Sequence, residues 1–279
     1  MKKLLLLSAF LIFACSSDDS SDTNDNNNTT SERLIESLTL HSIQTCETYG
    51  TFNTANVTNC TYNNNLITSF TSQFYEFGCP DNFYYSDETT GNYEYFEGYV
   101  VASSNGGVNQ IDLNENGNLD TYNLRDGSIT YTHNITYDNN YINSISRTNG
   151  YYEMQFTYEN GNLINIDVES ENDLEDINIT YTQYENKSKL FHPFLFSLMP
   201  YLPIQNFYGK NNTNLPATYV RNVYNSNGEL TQNDTEYYNY IFDDDGYVIF
   251  LEVGNYSDYG NQNISNSLVE KTFEITYTN

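Results

Sequence analysis

Tryptophan is absent from this chain, and basic side chains are scarce: 10 Lys and Arg stand against 37 Asp and Glu, a formal net charge of −27. So acidic a chain is repelled by nucleic acid and by anionic membrane surfaces, which excludes a polynucleotide partner. The apolar run Leu4–Phe13 falls well short of the ~20 residues a membrane-spanning helix needs. The four cysteines include no C-x-x-C pair, so a thiolate zinc site is a poor reading. The three histidines, His41, His133 and His192, form no H-x-x-x-H string, and no G-x-S-x-G or phosphate-cradling loop is present. The sequence therefore implies no cofactor and no recognisable catalytic apparatus. Paired carboxylates of the kind a glycosidase uses are the one enzymatic alternative, since 37 acids guarantee that some lie close together.

What is present begins at the N-terminus. Lys2 and Lys3 precede the short apolar run, which ends in Ile12-Phe13-Ala14-Cys15. A charged start, an apolar stretch and a small residue before the break form a secretory signal over residues 1–14. A small residue directly before cysteine resembles the lipobox of bacterial lipoproteins. That resemblance implies cleavage before Cys15 and acylation of Cys15, hence a membrane partner through a lipid anchor. Ser16-Ser17-Asp18-Asp19-Ser20-Ser21-Asp22 follows, similar to the surface-export signal of Bacteroidota lipoproteins, which implies an outer-membrane, cell-surface address. Residues 15–30 lack the aliphatic and aromatic side chains a core requires and read as an acidic Ser/Asp/Asn tether.

Residues 31–279 read as one antiparallel β domain, organised around Ile129–Val168. Ile129, Tyr131, His133, Ile135 and Tyr137 alternate with polar residues, as do Tyr152, Met154, Phe156 and Tyr158. Period-two alternation marks strands with one buried face, and it places His133 on that face. Asp138-Asn139-Asn140 and Glu159-Asn160-Gly161-Asn162 interrupt the pattern as hairpin turns whose central residues take positive φ. Related turns recur at Tyr62–Ile67, Asp112–Leu119, Tyr224–Leu230 and Phe242–Val248. Further strands are expected over Ser37–Cys46, Asn56–Tyr62, Leu66–Phe77, Phe83–Tyr85 and Tyr93–Ser103, with Ser86–Asn92 read as a turn-rich break. The 28 tyrosines fit half-buried strand positions with the hydroxyl at the rim.

The recurring turns resemble the YD repeat of bacterial surface proteins. Together with the lipobox, the tether, Asn214-Leu215-Pro216 and Asp243–Tyr247, the chain is similar to Bacteroidota lipoproteins grouped as a domain of unknown function with a porin-like fold. The resemblance implies an all-β fold: a large curved antiparallel β-meander sheet, closing as far as a partial barrel, with one irregular insertion at 187–216. It implies no activity. A transmembrane barrel is disfavoured, because Asn, Thr, Asp and Glu alternate through the strands where lipid would require an apolar band.

Lys187–Pro216 breaks the rhythm: it is rich in proline, its apolar residues do not alternate, and Leu195–Met199 suggests one helical turn stopped by Pro200. It reads as a plug or cap on the sheet, or as an apolar loop for a protein partner. Cys46, Cys60 and Cys79 are disulfide candidates, with Cys46–Cys60 and Cys60–Cys79 both open. Asp112-x-Asn114-x-Asn116-Gly117 with Asp120 matches an oxygen-rich calcium loop, a weak Ca2+ candidate whose letters the hairpin turn also explains. The expected role is non-catalytic binding or scaffolding, with glycan or nutrient capture on exposed tyrosines as its more specific form and adhesion to a protein partner as the alternative.

Overall fold

The computed structural model describes residues 33–46, 50–64, 66–78, 83–104, 107–126, 129–148, 150–171, 173–187, 209–258 and 267–278. The signal, Cys15, the tether, Cys79 and the helical turn expected at Leu195–Met199 lie outside them. Sixteen strands follow in order: β1 Ile35–Cys46, β2 Gly50–Asn63, β3 Leu66–Gly78, β4 Phe83–Phe96, β5 Tyr99–Ser104, β6 Gly107–Leu113, β7 Leu119–Asp126 and β8 Ile129–Asp138. They continue with β9 Tyr141–Arg147, β10 Tyr152–Glu159, β11 Asn162–Ser170, β12 Asp173–Glu185, β13 Asn214–Asn225, β14 Leu230–Phe242, β15 Val248–Asp258 and β16 Ser267–Tyr277. Every strand pairs antiparallel with its sequence neighbours, and β1 pairs with β16 from Ile35↔Tyr277 to Thr45↔Leu268. The meander therefore closes into a complete barrel, not a partial one.

Local chemistry produces the closure. At the end of the barrel that carries both termini, the turns hold Asn64, Asn139, Asn140 and Asn160 at positive φ, with Gly161 at +78°. Asn and Gly tolerate that region where β-branched residues do not, so these turns match the twist of the strands they join. Just before most of these turns the register slips by one residue, at Thr61/Tyr62, Asp112/Leu113, Thr136/Tyr137, Thr157/Tyr158 and Ile241/Phe242. Such bulges increase twist and bend a sheet on itself. Tyrosines toward the ends of the strands that run to this rim are then tied down. Tyr95, Tyr137, Tyr181, Tyr240 and Tyr277 donate their hydroxyls to the carbonyls of Ile67, Leu119, Leu163, Pro216 and Val248, at 2.7–2.9 Å. Each bond joins the end of one strand to the start of the strand before it, so the tyrosines form a ring inside this rim. Burial raises the pKa of Tyr95, Tyr137, Tyr181 and Tyr240, which stay neutral donors.

The barrel is apolar inside and polar outside. Ile145 and Leu163 are 0% exposed, and with Ile67, Phe70, Ile135, Met154, Phe156, Ile166 and Ile177 they form a core running from β3 to β12. A second cluster, from Leu38 through Leu215 and Leu251 to Phe273, completes the circuit, and Tyr219 packs on both. Side chains at 0% exposure have no water-sized space beside them, so they fill the interior and no open channel runs past them. Their outward neighbours on the same strands, Thr136, Asn143, Gln155, Thr157, Asp167 and Asn178, are exposed. A barrel in lipid needs the reverse arrangement on its outer face, and this wall does not provide it.

Two expectations are corrected by this register. Ser86–Asn92 is not a break but the middle of β4, and the real interruption is Glu97-Gly98, with Gly98 at φ +80°. Cys60 carries a free thiol. Cys46 pairs with Gly50, so Cys60 lies ten positions further along β2, about 33 Å away at ~3.3 Å per residue. A disulfide tolerates a Cα separation of only about 7 Å, so Cys46–Cys60 cannot form, while Cys79 lies outside the described residues. Burial pushes the Cys60 thiol up to about 12, which leaves it unreactive.

Candidate functional site

The interior has two layers along the barrel axis. The tyrosine ring and aliphatic core occupy the half nearest the termini. Toward the opposite mouth the same inward positions turn polar, because each strand's alternation continues with different letters. On β9 the inward series runs Ile142, Ile145, Arg147; on β8, from the mouth, it runs Tyr131, His133, Ile135. On β12 to β14 the register aligns Ile177 with Arg221 and Arg221 with Asp234. Asn56, Thr58 and Ser72 continue the polar layer on β2 and β3, with the Ser72 hydroxyl donating to Asn56 Oδ1 at 2.6 Å.

Two charged centres stand out in this layer. In the first, Arg221 grips Glu175 through Nε and Nη2, both at 2.7 Å, and reaches Asp234 Oδ2 through Nη1 at 3.1 Å. Gln232 also donates to Asp234, and Tyr238 donates to Glu236 at 2.6 Å, with Lys271 4.0 Å from the same carboxylate. This two-point fork fixes three strands against one another. In the second, the Arg147 guanidinium lies 4.4 Å from the Tyr131 ring centroid and 5.6 Å from that of Tyr152. His133 sits across the strand pair from Arg147 with its ring edge-on to Tyr152 at 6.2 Å. Burial, and then the charge of Arg147, lower the His133 pKa to about 4, so its ring is neutral at physiological pH.

The end that carries the termini is built from asparagine. The chain returning from the insertion, Gly209 to Asn214, crosses the tips of the β8–β9 and β10–β11 turns. Lys210 N donates to Asn140 O at 2.7 Å, and Thr213 N to Gly161 O at 3.0 Å. Asn212 Oδ1 accepts from Leu163 N, Asn162 and Asn214 exchange two bonds, and Asn118 donates to Asn140. Gly209 is required here, since its φ is +74° and a Cβ would lie 2.1 Å from Asn140 O. The described part of the insertion thus lies over this rim, in keeping with a cap. The N-terminal segment leaves from the same rim, where Arg33 binds Asp243 at 2.6 Å and packs between Tyr247 and Tyr277.

The calcium-like string occupies a turn on this rim. Asn114 Oδ1 accepts the amides of Asn116 and Asn118, and Gly117 N donates to Asn114 O. Asn225 makes the same pair of bonds to Asn227 and Glu229, and Asp243 to Asp245 and Tyr247. All three are one five-residue turn whose first side chain caps its own loop. Asp112 and Asp120 lie on the strands flanking the first of them, exposed, and Asp112 accepts from Gln110. Among the described residues no group of three or more His, Cys, Asp or Glu side chains is placed to hold a metal ion.

A depression of about 510 Å³ lies over β10–β12, lined among others by Glu153, Asp167, Glu169, Asp176, Leu174 and Tyr224. Its lining contains no histidine, cysteine or serine to act beside these acids. Periodicity placed His133 correctly. The Arg147 cluster carried no sequence signal, because arginine at the end of a strand reads as a solvated terminus.

The fold and its filled interior define a class: a closed antiparallel barrel of porin-like topology whose inner face is apolar in the half nearest the termini. No protein-family model matches the chain, and no curated protein matches it. Among solved structures, a porin-like protein from Bacteroides uniformis matches with a TM-score of 0.65 and 18% identity, covering 88% of this chain and 96% of that one. At that identity the likeness is one of fold.

Proposed function

We propose that this chain is an outer-membrane lipoprotein, anchored through Cys15, whose barrel stands outside the bilayer and serves a non-catalytic binding or scaffolding role. One observation carries the reading: the apolar surface is inside the barrel and the polar surface outside, so attachment must come from elsewhere in the chain. The lipobox at Ala14-Cys15 and the acidic tether supply it, since acyl chains on one cysteine anchor a protein without a spanning segment. The tether joins the rim that bears Arg33, at the end of the barrel away from the polar layer. Glycan or nutrient capture is the form of binding that the polar mouth, with its arginines, carboxylates and tyrosines, suits best.

Metabolic labelling with an alkynyl palmitate analogue tests the anchor. The wild-type chain should take up label and stay with the outer membrane, and Cys15→Ala should lose both. Label retained by Cys15→Ala, or membrane association unchanged, would overturn the assignment. Protease added to intact cells should cut within residues 16–32 if the barrel is displayed at the surface.

A further inference from the structure

Arg147 is set apart from the other well-placed arginines of the barrel. Arg33 and Arg221 each hold carboxylates, at 2.6 and 2.7 Å. Arg147 has none within ion-pair distance among the described residues, although the chain carries a net charge of −27. Its guanidinium is packed against Tyr131 and Tyr152, and its Nε is buried without a hydrogen-bond partner. A buried donor left unpaired is costly, and stacking on rings does nothing for the in-plane N–H groups. The two tyrosines orient the fork and take up its faces, leaving its edges for an acceptor.

From this the geometry points to a carboxylate-binding site in the polar mouth: Arg147 accepts the carboxylate of a small organic acid, with Tyr131 and Tyr152 as orienting walls. A planar guanidinium offers paired N–H donors that match the two oxygens of a carboxylate. A single cation suits a monoanion. Phosphate dianions would meet Glu171 and Glu175 nearby without a second free cation to offset them. Glu171 Oε1 is already engaged by the amide of Tyr151, and Glu175 by Arg221, so neither is offered to Arg147. Neutral His133 beside the guanidinium adds no opposing charge. The inference is independent of the lipid anchor: it concerns the barrel interior and stands or falls with the soluble domain.

Nitrogen-15 NMR of the arginine Nε–H resonances in residues 31–279 tests it, with sodium galacturonate, galactose and inorganic phosphate as probes. The Arg147 resonance, assigned by its loss in Arg147→Lys, should shift and saturate with galacturonate and stay still with galactose. In Arg147→Lys, which keeps the charge and lacks the fork, galacturonate affinity read by calorimetry should fall at least tenfold, while Arg33→Lys leaves it unchanged. An Arg147 resonance unmoved by galacturonate at about 50 mM, roughly the weak limit of a specific site, would overturn the proposal. So would equal response to galactose, a stronger response to phosphate, or affinity retained in Arg147→Lys.

Discussion

Residues 31–279, produced without the signal and tether, are expected to stay soluble and monodisperse in detergent-free buffer and to melt cooperatively. The reason lies in which face of the wall is polar. On β10 and β11 the outward pairs are Glu153↔Glu169 and Gln155↔Asp167, and the inward pairs are Met154↔Val168 and Phe156↔Ile166. Burying the outward set in hydrocarbon would be unfavourable for each charged group near the midplane. Burying the inward set inside the barrel gains about 1.5–3 kcal/mol per large apolar side chain. Light scattering beside calorimetry decides the matter. A domain that aggregates until detergent is added would mean that the exterior is not the water-facing side.

Replacing Ile145 with Asp is expected to abolish folding, whereas Gln155→Leu on the outer face should shift stability by less than about 1 kcal/mol. Ile145 is 0% exposed and packs between Ile135 and Met154, its cross-strand partners. Even Ile145→Ala should cost about 2–5 kcal/mol through the cavity it leaves. Asp adds the desolvation of a carboxylate with no partner in an aliphatic layer, and domains of this kind have only about 5–15 kcal/mol to lose. Circular dichroism and urea titration give the comparison. An Ile145→Asp barrel that folds with a midpoint near wild type would show that the interior is wet.

Much of this architecture is legible in the sequence where the inner face is apolar. Alternation at Ile129–Tyr137 and Tyr152–Tyr158, with Asn-rich turns between, identifies strands, register and the inward side of His133. The same rule fails on β4, where the inward residues Asp87, Thr89 and Gly91 are polar or small, so alternation disappears and the stretch mimics a loop. Gly91 is there because Phe70, directly across from it, fills the space: a Cβ would sit 2.1 Å from the Phe70 ring. Closure was not legible because β1 and β16 meet across the whole length of the chain, and no local pattern encodes that pairing. The Cys46–Cys60 reading fails because spacing in sequence says nothing of which end of a hairpin each residue occupies. The YD-like turns and the Asp112 string, by contrast, are one motif, and Asn114, Asn225 and Asp243 make the same side-chain caps. Arg147 gains its meaning only when β8, β9 and β10 bring two tyrosines and a histidine around it.

The central claim is that the barrel lies in water while its anchor lies in the membrane. Single cysteines placed at outward positions Gln155, Asp167 and Asn178 of the full-length protein, in a background with Cys46, Cys60 and Cys79 all changed to Ser and the lipid-bearing Cys15 kept, test it most directly. In intact outer-membrane vesicles these positions should react with a membrane-impermeant maleimide as fast as they do after detergent extraction. Protection of all three in vesicles, relieved by detergent, would place the wall in lipid and contradict the account.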